Sequence, residues 1–250
     1  MTKKRLWSVG IGVGIVLVFA LIYWFYLAKP TSFPSNEYLI EELNSVFPAV
    51  NASKIQDTIQ MNGRNVLVPY ISEDDDYGLS YWVWKGHKWR VANVDTAGAP
   101  MLWKLDKNDP STYKIVWNLH PDDKVRSNNF YLMKERGYHI MEGVEEHYDP
   151  GVQMKKEVTT GEKSYGMIEL PKEWVAFINS YSELGAAKQP NSFFKSFSPD
   201  LHLYFGWIPY DQTGKGASLD HSLNGSGFSN GNVEIDFIHI LDEADLDRSK

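Results

Sequence analysis

The sequence predicts an α+β protein: a single N-terminal transmembrane helix followed by an extracytoplasmic domain of mainly antiparallel β-sheet with a few helices. Three observations carry that expectation. Residues 6–28 hold no charged side chain and come directly after Lys3, Lys4 and Arg5. Beyond them, short segments rich in Trp, Tyr, Val and Ile alternate apolar with polar residues between Gly, Asp and Asn turns. These segments come in runs, without the regular strand–helix alternation of a parallel sheet.

The 23 residues of the apolar stretch, if helical, rise ~34 Å against a hydrocarbon core of about 30 Å. A helix is the required form, because lipid offers backbone N–H and C=O groups no partner. Tyr23, Trp24 and Tyr26 stand at the far end, where amphipathic rings favour headgroup depth. The basic triplet keeps residues 1–5 on the cytoplasmic side and sends the C-terminal part out. A cleaved signal peptide has a shorter apolar core, about 7–15 residues, and a small-x-small cleavage site. Here bulky Tyr26 stands two before Ala28, so an uncleaved anchor in the cell membrane is expected. The bilayer is thus the partner of residues 6–28, and the spacing of Gly10 and Gly14 lets two such helices approach as a homodimer.

Composition narrows the classes that remain. The chain has 25 Lys and Arg against 32 Asp and Glu, a formal charge of −7. Without the N-terminal triplet, 22 basic residues face 32 acidic ones, a charge of −10 on the exported part. Such a surface repels nucleic acid and does not hold anionic lipid through polybasic contacts. Cysteine is absent, which excludes disulfides and thiolate metal sites. Stability must therefore come from the core, which nine tryptophans can supply. An exported domain without disulfides points to a bacterial surface.

The first element of the exported part is a stalk, residues 29–35, whose prolines discourage the membrane helix from continuing. Ser35 or Asn36 caps a helix to about Phe47, with Leu39, Leu43, Val46 and Phe47 turned inward. Ser53-x-x-Gln56 fits a capping box, and Ile55 and Ile59 lie one turn apart; both predict a second helix stopped by Gly63. Strands are expected at 66–71 and 80–85. The second enters a hairpin with Gly86-His87 as a type II′ turn, pairing Lys85 with Lys88, Trp84 with Trp89 and Trp82 with Val91. Further strands fall at 101–105, 113–119, 129–133 and 138–141, and 152–158 with 164–170 patterns as a hairpin around Thr160-Gly161. Pro171 opens a helix carrying Trp174, Phe177, Ile178, Tyr181 and Leu184, ended by Gly185. The last strands are 201–208 and 233–241, separated by a long polar loop; the acidic tail, 242–250, is expected to fray. The exported domain is thus 36–241, with a sub-boundary compatible with 120–129 or 185–199.

Several patterns bear on chemistry. His139, Glu142 and His147 lie in the run HIMEGVEEHYD and are of zinc-ligand type, but no HExxH spacing unites them, and a solvated turn explains them as well. Glu73-Asp74-Asp75-Asp76 is acidic enough for calcium, yet the glycine and distal glutamate of an EF-hand loop are misplaced, so a turn is expected. The stretch 213–218 (TGKGAS) lacks the upstream glycine and the Ser or Thr after lysine that a phosphate loop needs. With 224–231 it makes a glycine-rich loop. Ser218, Asp220 and His221 are triad residue types, but adjacency is not triad geometry, and no G-x-S-x-G elbow is present. Trp82, Trp84 and Trp89 share one hairpin face, which is either a recognition platform for sugars or a protein partner, or the core of the sheet. No cofactor is implied. The functional expectation is a binding or assembly module at the cell surface, meeting a protein or cell-envelope partner. The alternative is an envelope hydrolase acting on glycan or peptide.

Overall fold

The computed structural model describes residues 11–19, 23, 29–141, 145–188 and 203–246. Residues 11–19 are helical, but among the described residues no helix is long and apolar enough to cross a membrane. The transmembrane helix expected at 6–28 is therefore not shown, and Gly10 lies outside the described residues. The described residues between 29 and 246 have an α+β architecture of mainly antiparallel sheet.

Helix α1 (Asn36–Val46) buries Leu39 and Leu43, as its spacing requires. The helix expected after it is absent. In its place stand strands β1 (Ala52–Ile55) and β2 (Ile59–Asn62). Tertiary partners overrode the capping signal: the Asn44 side chain takes both the N–H and the C=O of Ala52, holding the chain extended. Ile55 and Ile59 then face opposite cores instead of one helical stripe. Strands β3 (Asn65–Ser72), β4 (Tyr77–Lys85) and β5 (Lys88–Asp95) complete this region. The β4–β5 hairpin has the expected register, Lys85 with Lys88, Trp84 with Trp89 and Trp82 with Val91. Its turn differs: Gly86 and His87 both have φ of 61°, the signature of type I′ rather than II′.

The chain continues through β6 (Met101–Lys104), β7 (Tyr113–Asn118), β8 (Ser127–Lys134), β9 (Gly137–Met141), β10 (Glu145–Asp149), β11 (Val152–Thr159) and β12 (Tyr165–Glu169). β11 and β12 do not pair with each other. β11 joins β8 and β12 joins β7, so the segment around Gly161 crosses between two sheets. A local hairpin would have left those edges of β7 and β8 without hydrogen-bond partners. Helix α2 (Lys172–Lys188) begins after Pro171, whose carbonyl accepts from Trp174 and Val175. It runs through Gly185, a residue that costs an interior helix only about 1 kcal/mol. The end of the chain forms β13 (Leu203–Tyr210), β14 (Gly227–Ser229), β15 (Glu234–Phe237) and β16 (His239–Ile240). The expected strand 233–241 is thus split in two, and the polar loop holds a strand of its own. Residues 242–246 do not fray either: Asp242 and Asp245 close a capping box around a 3-10 turn, and Leu246 packs on the third sheet.

Three larger sheets result. The first has six strands, in the order β1-β3-β4-β5-β14 with β2 also on β3. The second is β12-β7-β6-β15 and the third β11-β8-β13-β16, with β9–β10 as a separate ribbon. Only the β13–β16 pair is parallel among these pairings. Alternation along each strand sets the layers. Trp82 and Trp84 of β4 face α1, whereas Leu79 and Tyr81 face Trp103 and Val116 of the second sheet. Ile115 and Trp117 of β7 face the other way, onto Phe130, Trp207 and the α2 residue Trp174. All six residues of β7 are buried. Tyr131, Met133 and Ile208 build a smaller core on the far face of the third sheet.

The buried end of β7 joins the first two sheets. Asn118, fully buried, donates through Nδ2 to the Gln56 side chain (2.8 Å), Tyr70 O (3.1 Å) and Gly78 O (2.8 Å). Its Oδ1 accepts from Ser164 Oγ at 2.8 Å, and its N–H donates to Gly98 O at 2.8 Å. Gly98 has φ of 67°, and a Cβ there would lie 2.1 Å from Asn118 O, so only glycine fits.

Trp84 is 7% exposed within the first core. Trp84→Ala should cost ~3–5 kcal/mol and lower the melting temperature by roughly 6–20 °C. Paired thermal melts check this, and a shift of about a degree or less would show that the ring is not core. A second expectation concerns pH. Burial pushes the Asp95 carboxyl above its ordinary 3.8, only partly offset by the Ala97 N–H that it accepts. That favours the protonated acid in the fold, a contribution complete below the unfolded value and lost as pH rises through the folded one. Asp95→Asn keeps an acceptor for Ala97 and should melt above wild type near pH ~7, the gap closing toward pH ~3. A gap independent of pH would refute this.

Candidate functional site

Three segments far apart in sequence meet beside the end of β7. They are the acidic turn 73–76, the turn Pro121–Asp123, and residues 219–222. The acidic turn is held by Ser72, whose Oγ accepts from the N–H groups of Asp74 and Asp76 while Asp75 adopts φ of 65°. This leaves the four acidic side chains exposed, as a turn rather than a cation loop.

His120 is the centre of the meeting. Only 7% exposed, it caps the Pro121–Asp123 turn by accepting the Asp122 N–H through Nδ1 at 3.1 Å. A nitrogen that accepts carries no proton, so in the neutral ring the proton sits on Nε2. Nε2 faces Asp75 Oδ2 at 3.5 Å. The ring lies 4.5 Å from His221 in a stacked arrangement and takes the edge of Tyr77 at 4.8 Å. Two reciprocal bonds lock the loops: His120 N–H donates to Ser222 Oγ (2.8 Å), and His221 N–H donates to Asp123 Oδ1 (3.0 Å). Ser222 is fully buried, and the other Asp123 oxygen is buried with no hydrogen-bond partner among the described residues. Burial, then the carboxylates of Asp75 and Asp122, push the Tyr77 phenol above its ordinary value.

On its other side His120 lines a cavity of about 280 Å³, together with Lys124, Arg126, Thr160, Lys163 and Ser164. Lys163 is engaged by Asp57 at 3.2 Å, which also accepts from Tyr165. Neither Lys124 nor Arg126 has an ion-pair partner among the described residues. A cationic recess beside an acidic cluster can orient a ligand that carries both signs. A wider cleft of about 730 Å³ opens along the third sheet near Lys134, Tyr204, His239 and Asp245.

The residues singled out in the sequence lie elsewhere for the most part. Trp82, Trp84 and Trp89 are 0%, 7% and 7% exposed and form core beneath α1, so that face is not presented to solvent. The segment expected as a stalk covers it: Phe33 meets Trp82 and Trp89 edge-on, and the Trp89 indole N–H donates to Thr31 O at 3.1 Å. His139 and His147 are register partners across the β9–β10 ribbon, not neighbours in a turn; Glu142 lies outside the described residues, as do the side chains of both histidines. Stretch 213–218 is a tight turn in which Asp211 Oδ1 accepts from Thr213 and Lys215. No hydrogen bond joins Ser218, Asp220 and His221 to one another among the described residues. Sequence reasoning did not single out His120, whose only local signal is His-Pro-Asp-Asp, the composition of a capped turn. Nothing local could pair it with His221.

No family model matches the chain, and comparison with curated proteins and with solved structures likewise finds no match.

Proposed function

We propose that the protein is a single-pass cell-membrane protein whose extracytoplasmic domain is a binding or assembly module held directly on the bilayer surface. One observation carries this reading. Along the helical residues 11–19, Ile11, Val13, Ile15, Val16, Leu17, Val18 and Phe19 are each between 51% and 67% exposed. At about 100° per residue, those positions cover every face of the helix. Apolar surface on all sides, uncovered by any other described residue, matches lipid as its surroundings. The charge-free run 6–28 has the length to span, and Lys3, Lys4 and Arg5 orient it with the N-terminus inside. Gly14 has open space where a Cβ would stand, so no described residue fills that position, on which two copies could meet. Thr31 and Phe33 dock onto the tryptophan core immediately after the span. The domain is therefore fastened close to the membrane rather than swung on a free stalk.

The binding half of the proposal is supported by the junction of loops at His120, where a recess carrying Lys124 and Arg126 adjoins an acidic cluster. Loops converging on a rigid frame are where recognition is most often built.

Membranes washed with alkaline carbonate should retain the protein, and protease added to intact cells or spheroplasts should remove the domain. Arginine at Val16 and Phe19 together, at ~2.5–3.5 kcal/mol each near a helix centre, should release it. Release of the wild type by carbonate, or a mature N-terminus near residue 29, would overturn the anchor. For binding, a photo-reactive residue at Gln212 on the recess rim should give a discrete adduct in cells. Lys124→Glu with Arg126→Glu should abolish that adduct. Equal adducts from exposed Lys107, distant from the recess, would overturn the recess as the binding face.

A further inference from the structure

We propose that His120, Asp122 and His221 form a binding site for one divalent transition-metal ion of the zinc class. One ligand atom from each lies within 4.8 Å of the others. Zinc bonds of ~2.0–2.1 Å in a tetrahedron need about 3.3 Å between ligand atoms, a closure that side-chain rotation of exposed Asp122 and His221 can supply. Imidazole and carboxylate without thiolate suit zinc, nickel or copper; magnesium and calcium take oxygen sets instead.

Proximity is not the only support. The tautomer of His120 is the one a metal requires at Nδ1. That nitrogen holds its lone pair toward the Asp122 N–H, while Nε2 lies 3.5 Å from the Asp75 carboxylate, within reach of a bond that a small shift of the exposed Asp75 side chain would complete. A ligating imidazole characteristically has its other N–H directed at a carboxylate, which fixes the ring and raises its basicity. A metal at Nδ1 displaces a single backbone N–H, and it belongs to the exposed residue that supplies the next ligand.

Charge points the same way. The carboxylates of Asp75 and Asp122 lie beside the rings, Asp123 accepts the His221 N–H, and its other, buried oxygen has no hydrogen-bond partner among the described residues. A bound cation would lie among these carboxylates and be stabilised by them. The scaffold is also organised in advance. The bonds from His120 N–H to Ser222 Oγ and from His221 N–H to Asp123 Oδ1 hold the two ligand-bearing loops against each other before any ion arrives. In this arrangement His120, Asp122 and His221 are the ligands, Asp75 is a positioning residue, and water completes the coordination. The site is independent of how the chain meets the membrane.

The test is zinc titration of the full-length protein in detergent, followed by calorimetry and by thermal melting. One Zn²⁺ per chain and a raised melting temperature are expected, with no response to Mg²⁺ at the same concentration. Asp75→Asn should weaken zinc binding by ~10-fold or more, and His221→Ala and Asp122→Asn by more than that. His147→Ala, on the β9–β10 ribbon, should bind as wild type does. If His221→Ala fails to fold, Asp122→Asn decides, since its side chain is exposed. No uptake by wild type, unchanged affinity in Asp122→Asn, or loss of binding in His147→Ala would each overturn the site.

Discussion

The amide of Asn118 is the point on which the arrangement of the first two sheets depends. It is fully buried, yet it donates to backbone carbonyls of β3 and β4 and to Gln56, and it accepts from Ser164. Gln56 in turn donates to Ser164 Oγ, which closes the network. In a low-dielectric interior such bonds are strong, and losing any partner leaves a buried polar group uncompensated. The network therefore selects one docking of β7 against β3 and β4. Hydrophobic contact alone, being non-directional, would tolerate several.

A second constraint comes from the end of the chain. β14, β15 and β16 succeed one another in sequence and add a strand to the first, second and third sheet in turn. Each lies at the end of its sheet's strand order. A sheet edge is a row of unpaired donors and acceptors open to other chains, and this segment covers three of them. It also fastens layers made from the first half of the chain to those made from the second. In a protein without cysteine, this lacing joins the sheets with no covalent cross-link.

Both constraints lead to the loops around His120. That residue leaves β7 two positions beyond Asn118, and its partners come from residues 219–222, just before the lacing segment. The site is thus anchored on one side by the buried hydrogen-bond network of Asn118. At the opposite end, Phe33 and Thr31 bind the tryptophan core to the residues beyond the apolar helix. The proposed function, a binding surface set close to a membrane, joins these two attachments to the apolar helix that carries it.

Local pattern was enough for some of this. Alternation in SYWVWKGHKWRV determined a hairpin and its register, because side-chain period and a two-residue turn leave few alternatives. The inward stripe of α1 was legible for the same reason: it is a periodicity within a dozen residues. Where the sequence misled, a long-range partner had overridden a local preference. Ser53-x-x-Gln56 reads as a cap, but Asn44 and the edge of β3 hold those residues extended. Gly86-His87 was legible as a turn but not as type I′, which needs φ > 0 at both residues, a geometry histidine tolerates but does not announce. Segments 152–158 and 164–170 look complementary, yet each found a better-buried edge elsewhere. Tertiary structure alone decided the triple lacing and the meeting of His120 with His221. Such pairings are set by which surfaces remain to be buried once the local elements exist, and that sum is taken over the whole chain rather than over any window of it.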